Sequence, residues 1–458
     1  MNETILEQLR MIVGDEHASS TEADRTLHSH GQSSHPAVLP DFVVWPNSTE
    51  EVSAIVKIAA KYKIAVTAWG AGTSLEGHVI PLKKGISLNF QRMNRVVEMY
   101  AEDFQVTVQP GIFRKELEAH LSRYGLMFAP DPGANATVGG MIANNAAGIR
   151  TVKYGATKDN VLALEIVLAN GDIVKTGSRS VKQSAGYDLT HLIIGSEGTL
   201  ALVTQATLKL VPIPEHFSTA TVAFPSVEAA AEAVYGIIGS GLEPAALEMV
   251  HRDNIQWMNE DAGLDMVVAP SIMMEFSGAS EVAVTEAIHM AQEICTDAGS
   301  LGFSGGIGRD VRKTMWELRH SIRERNVRTF PGDDWVLVDI AVPISKFPEL
   351  VAYCQERIDE YGFDARILGH AGDGNMHSGI HYNPNDDVAK GKAVELGHVM
   401  VDRALELGGT CTGEHGIGIG KQKYLLKEHG ENALEMMRLI KQTLDPDNLL
   451  NPGKVIPL

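Results

Sequence analysis

The 458-residue chain is poor in cysteine: Cys295, Cys354 and Cys411 are all it has, and no two form a CxxC pair. That excludes a disulfide framework and a cysteine-held iron–sulfur cluster of its own, and it suits a reducing compartment. A cytoplasmic location is therefore the expectation. Basic residues are also scarce, with 39 Lys and Arg against 58 Asp and Glu for a formal net charge of −19. Such a balance argues against unaided binding to nucleic acid or to an anionic membrane, both of which need a positive patch. No apolar run reaches the roughly 18 to 20 residues of a spanning helix, so any membrane association is expected to be peripheral. The opening MNETILEQLRMIVGDEHASS lacks the basic n-region and apolar h-region of a secretory signal. No internal repeat or low-complexity array is evident.

What is present is ordinary for a folded protein, 44% hydrophobic and 21% charged residues, and long enough for two or three domains. After a short helix and a polar strap, SHGQSSHPAVLP, the pattern becomes α+β. DFVVWP reads as a strand, NSTEEVSAIVKIAAKY as a helix capped by Ser48 or Thr49, and IAVTAWG as a second strand. GISLNF, RVVEMY and FQVTVQPG add strands before the helix FRKELEAHLSRYG. VLALEIVLANGDIVKTG reads as a hairpin closed by a type I′ turn at Asn170 and Gly171. A proline-bearing exit near residue 213 marks a domain boundary, beyond which strands and helices alternate in a manner compatible with a ferredoxin-like cap on an antiparallel sheet.

Three stretches carry candidate chemistry. WGAGTSLEGH follows the strand IAVTA, and its glycines Gly70, Gly72 and Gly77 let backbone N–H groups converge on a phosphate. It is neither GxGxxG nor GxxxxGK[ST], and a plain glycine turn accounts for the same residues. PDPGANATVGGMIANNAAG is too rich in small residues to build a core, and suits a backbone lying against a planar ligand, with Thr137, Asn144 and Asn145 as hydrogen-bonding groups. A close-packed surface loop is the alternative. The third stretch, CTGEHGIGIGKQKYL, places Glu414 beside His415, and GHAGDGNMHSGIH supplies His370 and His377. Two imidazoles and a carboxylate can hold zinc or a similar divalent ion. The arrangement is not HExxH, and solvated loop histidines are the plain alternative. His381, in an alternating strand, is expected to be structural.

In this order, PDPG, GGMIANNAAG, GSEGTL, GDGNMH and TGEHGIG resemble the vanillyl-alcohol oxidase type of flavoprotein, and within it the FAD-linked D-2-hydroxyacid dehydrogenases that include cytochrome-type D-lactate dehydrogenases and the glycolate oxidase catalytic subunit. The resemblance runs from about DFVVWP to DPDNLLNPGKVIP. It implies a strap at 1–37, an FAD-binding domain at 38–214, a cap at 215–425 carrying a metal site, and a segment at 426–458 returning to the FAD domain. It also implies that Gly70, Ala71, Gly72, Thr73 and Ser74 form the pyrophosphate loop. Pro130, Asp131, Gly133, Thr137, Gly140, Asn144, Gly148, Tyr154, Gly155, Glu197 and Gly198 fall in segments that enclose flavin. His370, His377 and Glu414 match ligands of a divalent metal, zinc or manganese. His415 matches the base, Arg319 the arginine on the substrate carboxylate, and Asn375 a residue orienting the metal loop.

Two departures from relatives sharpen this. Those with covalent flavin carry a histidine where this chain has Thr73, which implies non-covalent FAD. Those acting on D-2-hydroxyglutarate carry a lysine where this chain has Leu337, which favours a monocarboxylate such as D-lactate or glycolate. The expected reaction is oxidation of a small D-2-hydroxy acid, with electrons passing to a cytochrome, a quinone, an electron-transfer flavoprotein or an iron–sulfur subunit. Homodimer formation is left open. Rival readings are a metal-dependent hydrolase, which has no use for the small-residue stretch at 130–148, and a non-catalytic flavin or metal carrier.

Overall fold

A computed structural model describes residues 2–457, apart from the side chains at positions 2, 320, 323, 324 and 327. The fold is α+β, as read from the sequence, with antiparallel sheets in both of two compact units. The first unit comprises Met1–Ala147, Gly155–Ile213 and Glu414–Leu458, and the second Gly148–Tyr154 and Pro214–Gly413.

In the first unit, a four-stranded sheet runs in the order Ala18–Ser19, Phe42–Val44, Ile86–Asn89 and Val66–Trp69, the last three parallel. Parallel strands need a crossover. The helix Thr49–Tyr62 provides one, with Ser48 as its cap: the Oγ accepts from Glu51 N at 3.2 Å. Val52, Ile55, Val56 and Ala59 recur at helical spacing and are fully buried against Val44, Val66, Ile86 and Leu88. The helix stops at Lys63, which has φ +52°. A second, antiparallel sheet has the order Val96–Tyr100, Gln105–Val108, Leu202–Lys209, Val161–Val167 and Ile173–Gly177.

The expected hairpin Val161–Gly177 is present, but its turn is not type I′. Only Gly171 of the pair has positive φ, +84°. Gly171 N donates to Leu168 O at 2.8 Å and Leu168 N to Asp172 O at 3.0 Å, the bonding of a three-residue loop ending in a left-handed glycine.

In the second unit, a four-stranded antiparallel sheet has the order Ala246–Val250, Ser271–Gly278, His216–Ala223 and Gly302–Ile307. A three-stranded antiparallel sheet has Asn375–Tyr382 at its centre, between Asp334–Ala341 and Ala365–Leu368. A bridge between Met249 and Gly369, with N–H···O bonds of 2.9 and 3.1 Å, joins the two sheets. One face of the small sheet is apolar. The helix Asp387–Glu406 lies on it, approaching so closely at Gly397 that a Cβ there would stand 3.0 Å from Val336 and 3.6 Å from Val338. Side-chain alternation sends Leu337, Asp339, His377, His381 and Arg366 to the other face.

The units divide at places the sequence did not show. Residues 148–154 join the second unit because Ile149 packs against Ala246 and Trp316, and Lys153 Nζ donates to Ser277 O at 2.8 Å. The return to the first unit begins at Glu414, not at the expected 426, since Ile417 and Gly418 give their N–H groups to Glu197. Among the described residues no helix is long and apolar enough to cross a membrane.

Candidate active site

The strand Val66–Trp69 delivers the loop Gly70-Ala71-Gly72-Thr73-Ser74 in the first unit. Gly70 and Gly72 are demanded by space. A Cβ on Gly70 would lie 2.3 Å from Thr137 Oγ1, and one on Gly72, at φ +69°, 2.6 Å from the Trp69 ring. Thr137 caps the helix Val138–Asn144, its Oγ1 accepting from Gly140 N at 3.3 Å. The Ser74 hydroxyl oxygen is shielded from solvent and has no hydrogen-bond partner. Pro130 and Asp131 are buried, and a Cβ on Gly133 would meet nothing within 4 Å. A buried hydroxyl without a partner, on a loop whose two glycines leave no room for a Cβ, fits a bound polar group such as the diphosphate of FAD.

Other residues matched to flavin segments are placed differently. Gly148 and Tyr154 belong to the second unit. Gly155, at φ +75°, backs onto Asp159, and Glu197 and Gly198 both have positive φ, +54° and +70°. The polar ends of Asn144 and Glu197 face the chain from Glu414 to Gly418: Asn144 Nδ2 donates to Glu414 O at 2.8 Å, and the Glu197 carboxylate accepts from Ile417 N at 2.7 Å and Gly418 N at 2.9 Å.

In the second unit, His370 and His377 stand with rings perpendicular and centroids 5.3 Å apart, and a nitrogen of each lies within 4.8 Å of one on the other. His370 turns its Nδ1 to a fully buried carboxylate in a hydrogen bond, and His377 has its Nδ1 at ion-pair distance from another. His370 Nδ1 is 2.7 Å from Glu248 Oε1, and His377 Nδ1 is 3.3 Å from Asp339 Oδ1. Burial pushes the Glu248 carboxyl up, but the charges of His370 and Arg319 outweigh it and hold the group below the ordinary carboxylate range. An ionised carboxylate only accepts, so Nδ1 is the His370 donor in this pair, and the neutral ring with that tautomer would offer its Nε2 lone pair to a cation. Imidazoles oriented in this way by carboxylates are suited to bind a divalent cation.

Arg319 has a protein partner that the sequence did not indicate, donating from Nη2 to Glu248 Oε2 at 2.7 Å. Asn375 likewise spends its amide within the protein, on Asp339 Oδ1 and Ile340 O, both at 2.9 Å, and Thr412 Oγ1 donates to Asp339 Oδ2 at 2.8 Å. Gly413 presses on this group so tightly that a Cβ would fall 2.1 Å from Asn375 Nδ2 and 2.9 Å from Asp339 Oδ1. The next residue in the chain is Glu414, whose Cα the peptide bond sets about 3.8 Å further on. His381 stacks on Phe330 at a centroid distance of 4.0 Å.

Glu248 and Asp339 were missed by sequence reasoning. Their signal was there: each lies mid-strand with apolar residues on both sides, in ALEMV and VLVDIAV, and a charge buried there must be paired.

Residues 213–455 match the family described as FAD linked oxidases, C-terminal domain, and residues 40–177 match an FAD binding domain. A mitochondrial cytochrome-type D-lactate dehydrogenase of Arabidopsis thaliana is 40% identical over 99% of this chain and 80% of its own length. A glycolate oxidase subunit of Bacillus subtilis is 33% identical over 98% of this chain and 96% of its own. Among solved structures, the 4-ethylphenol oxidase of Gulosibacter chungangensis superposes with a TM-score of 0.78 at 19% identity, covering 99% of this chain and 96% of that one.

Proposed function

Because this chain belongs to the FAD-linked oxidase family, we propose that it oxidises a D-2-hydroxy acid, D-lactate foremost, to the 2-keto acid. The observation that carries the reading is the pair His370 and His377, ring against ring, with His370 Nδ1 hydrogen-bonded to the buried Glu248 and His377 Nδ1 3.3 Å from the buried Asp339. Together with Glu414, tethered one residue past Gly413, they make a donor set for a divalent ion such as zinc or manganese. Bound FAD supplies the two-electron acceptor, and the bound cation lowers the cost of ionising the substrate hydroxyl.

The chain's own residues do the rest. Gly70 to Ser74 hold the FAD diphosphate without a covalent link, Thr73 offering no imidazole. His415 takes the hydroxyl proton, as an imidazole near neutral pKa suits a general base. Arg319, with one nitrogen on Glu248, directs its remaining donors to the substrate carboxylate. Asn375 sets Asp339 and through it His377. The full-length identity to a D-lactate dehydrogenase favours D-lactate, and Leu337 disfavours a second carboxylate. Glycolate oxidation with a separate iron–sulfur partner is the second reading, favoured by the Bacillus relative. A cytochrome, quinone or electron-transfer flavoprotein takes the electrons in the first. The three buried cysteines, in no disulfide, favour a reducing compartment such as the cytoplasm, while the plant relative is named mitochondrial.

The test is the visible spectrum of the purified protein under anaerobic conditions, with D-lactate, L-lactate, glycolate or D-2-hydroxyglutarate added. D-Lactate is expected to bleach a flavin band fastest, L-lactate not at all, and chelation of the metal to abolish bleaching. A protein that takes up no FAD, or a flavin that none of these acids reduces, would overturn the proposal.

A further inference from the structure

The proposed base, His415, sits in a run of glycines, EHGIGIG, that has no rigidity of its own. Three side chains of the first unit converge on that run at Gly416. A Cβ there would lie 2.7 Å from each of Asn144 Oδ1, Glu197 Oε1 and His78 Nε2. Glu197 spans two successive peptide groups, Oε1 on Ile417 N and Oε2 on Gly418 N. His78 Nε2 stands 3.1 Å from the same Oε2. Asn144 holds the chain from the other side through Glu414 O.

Glu197 is itself held hard. Its N–H donates to Ala143 O at 2.8 Å, its carbonyl accepts from Asn451 Nδ2 at 2.8 Å, and its backbone sits in the left-handed region at φ +54°. A non-glycine residue in that region is uncommon, and a buried carboxylate spent on two backbone amides more so. A segment that only had to fill space could be held by apolar contact. Placement to within about half an ångström, which proton transfer demands, calls for directional bonds to the backbone on both sides of the reacting residue.

We propose that Glu197 and Asn144 are positioning residues for the Glu414–His415 pair. They act through the backbone at 414, 417 and 418, and not as polar ligands of the flavin. The inference rests on the reading of His415 as base.

The experiment measures anaerobic flavin reduction by D-lactate in Glu197→Gln, His415→Ala and the double variant, with FAD content and thermal unfolding of each. Glutamine keeps the shape but turns an NH2 toward one of the two amides. The expected result is full FAD content, an unchanged Kd for D-lactate, and a reduction rate lowered about ten- to a hundredfold, as for other supports of reacting groups. In the His415→Ala background the same substitution should change the rate by no more than about twofold, because residues acting as a unit are not additive. An unchanged rate in Glu197→Gln, or an equal loss with and without His415, overturns the inference. If Glu197→Gln fails to hold FAD, Asn144→Ala, which removes the bond to Glu414 O, carries the same two expectations. Failure of D-lactate to reduce the wild-type flavin overturns instead the reading beneath it.

Discussion

Glu248 offers the sharpest test of the proposed metal centre, because it touches neither metal nor substrate in the scheme above and yet decides which nitrogen of His370 is protonated. Its carboxylate is fully buried and accepts from His370 Nδ1 and Arg319 Nη2, each at 2.7 Å. Arginine has only donors, and the metal-binding tautomer of His370 presents a donor at Nδ1. A glutamine at 248 has one oxygen and one NH2 for two donors. With the oxygen kept on Arg319, its NH2 faces Nδ1, which is satisfied only if His370 moves its proton to Nε2. That tautomer has no lone pair for the cation at Nε2. Glu248→Gln is therefore expected to weaken metal affinity about 10- to 100-fold, the usual effect of losing a carboxylate behind a ligating histidine, or roughly 1.4 to 2.7 kcal/mol. Glu248→Ala strands the guanidinium as well, and should destabilise the fold by about 3 to 5 kcal/mol.

The assay is metal content after dialysis against a graded series of metal buffers, alongside FAD content. Glu248→Gln should keep its FAD and lose metal at buffer concentrations where the wild type stays loaded. An affinity within about twofold of wild type would refute the tautomer argument. Loss of FAD and metal together would show damage to folding instead.

Other consequences are open to direct measurement. His415→Ala should slow flavin reduction by D-lactate about 10²- to 10⁴-fold in stopped flow, the range of a lost general base, while leaving metal and FAD bound. Leu337 faces the same side of its sheet as Asp339 and lies opposite Gly379. Leu337→Lys should raise the kcat/KM ratio of D-2-hydroxyglutarate to D-lactate about tenfold or more, as a charge-assisted bond to a second carboxylate would, and an unchanged ratio would count against this placement of the substrate. Lys454 is pushed down to about 7 by burial, against the pull of Glu197. The unfolded chain then binds the extra proton between pH 7 and about 10, so stability relative to Lys454→Met should rise with pH across that window, by at most about 1.4 kcal/mol per unit. A flat difference would mean that its three acceptors, His78 O, Ile80 O and Asn451 Oδ1, keep the ammonium charged.

Local chemistry was legible before any coordinates. Ser48 or Thr49 announced a helix that Ser48 caps, the apolar spacing in NSTEEVSAIVKIAAKY announced the face it buries, and HSGIHYN announced a strand that begins two residues earlier, at Asn375. Asn170-Gly171 announced a turn and misled on its type, because the choice between a two- and a three-residue loop depends on which residues of the flanking strands pair, Val167 with Ile173 in this case. The limits of the two units were hidden for a related reason. A stretch such as 148–154 declares its allegiance only through partners far along the chain, Ala246, Ser277 and Trp316.

The site shows where the boundary between legible and hidden falls. Residue types with obvious chemistry, His370, His377, Glu414 and His415, could be picked from their neighbours in sequence. What orients them could not, since Glu248 lies 122 positions from His370 and reaches it through the single bridge of Met249 to Gly369. Asp339 meets His377 only because the two strands pair in that register, and a slip of one residue would turn the carboxylate to the apolar face under the helix Asp387–Glu406. Burial energetics nonetheless make such residues findable. A carboxylate inside an apolar strand costs several kcal/mol unless a cation or donor meets it, so Glu248 in ALEMV and Asp339 in WVLVDIAV each imply a partner before one is seen. His370 and His377, on either side of a glycine-rich turn, answer that need for both carboxylates at once.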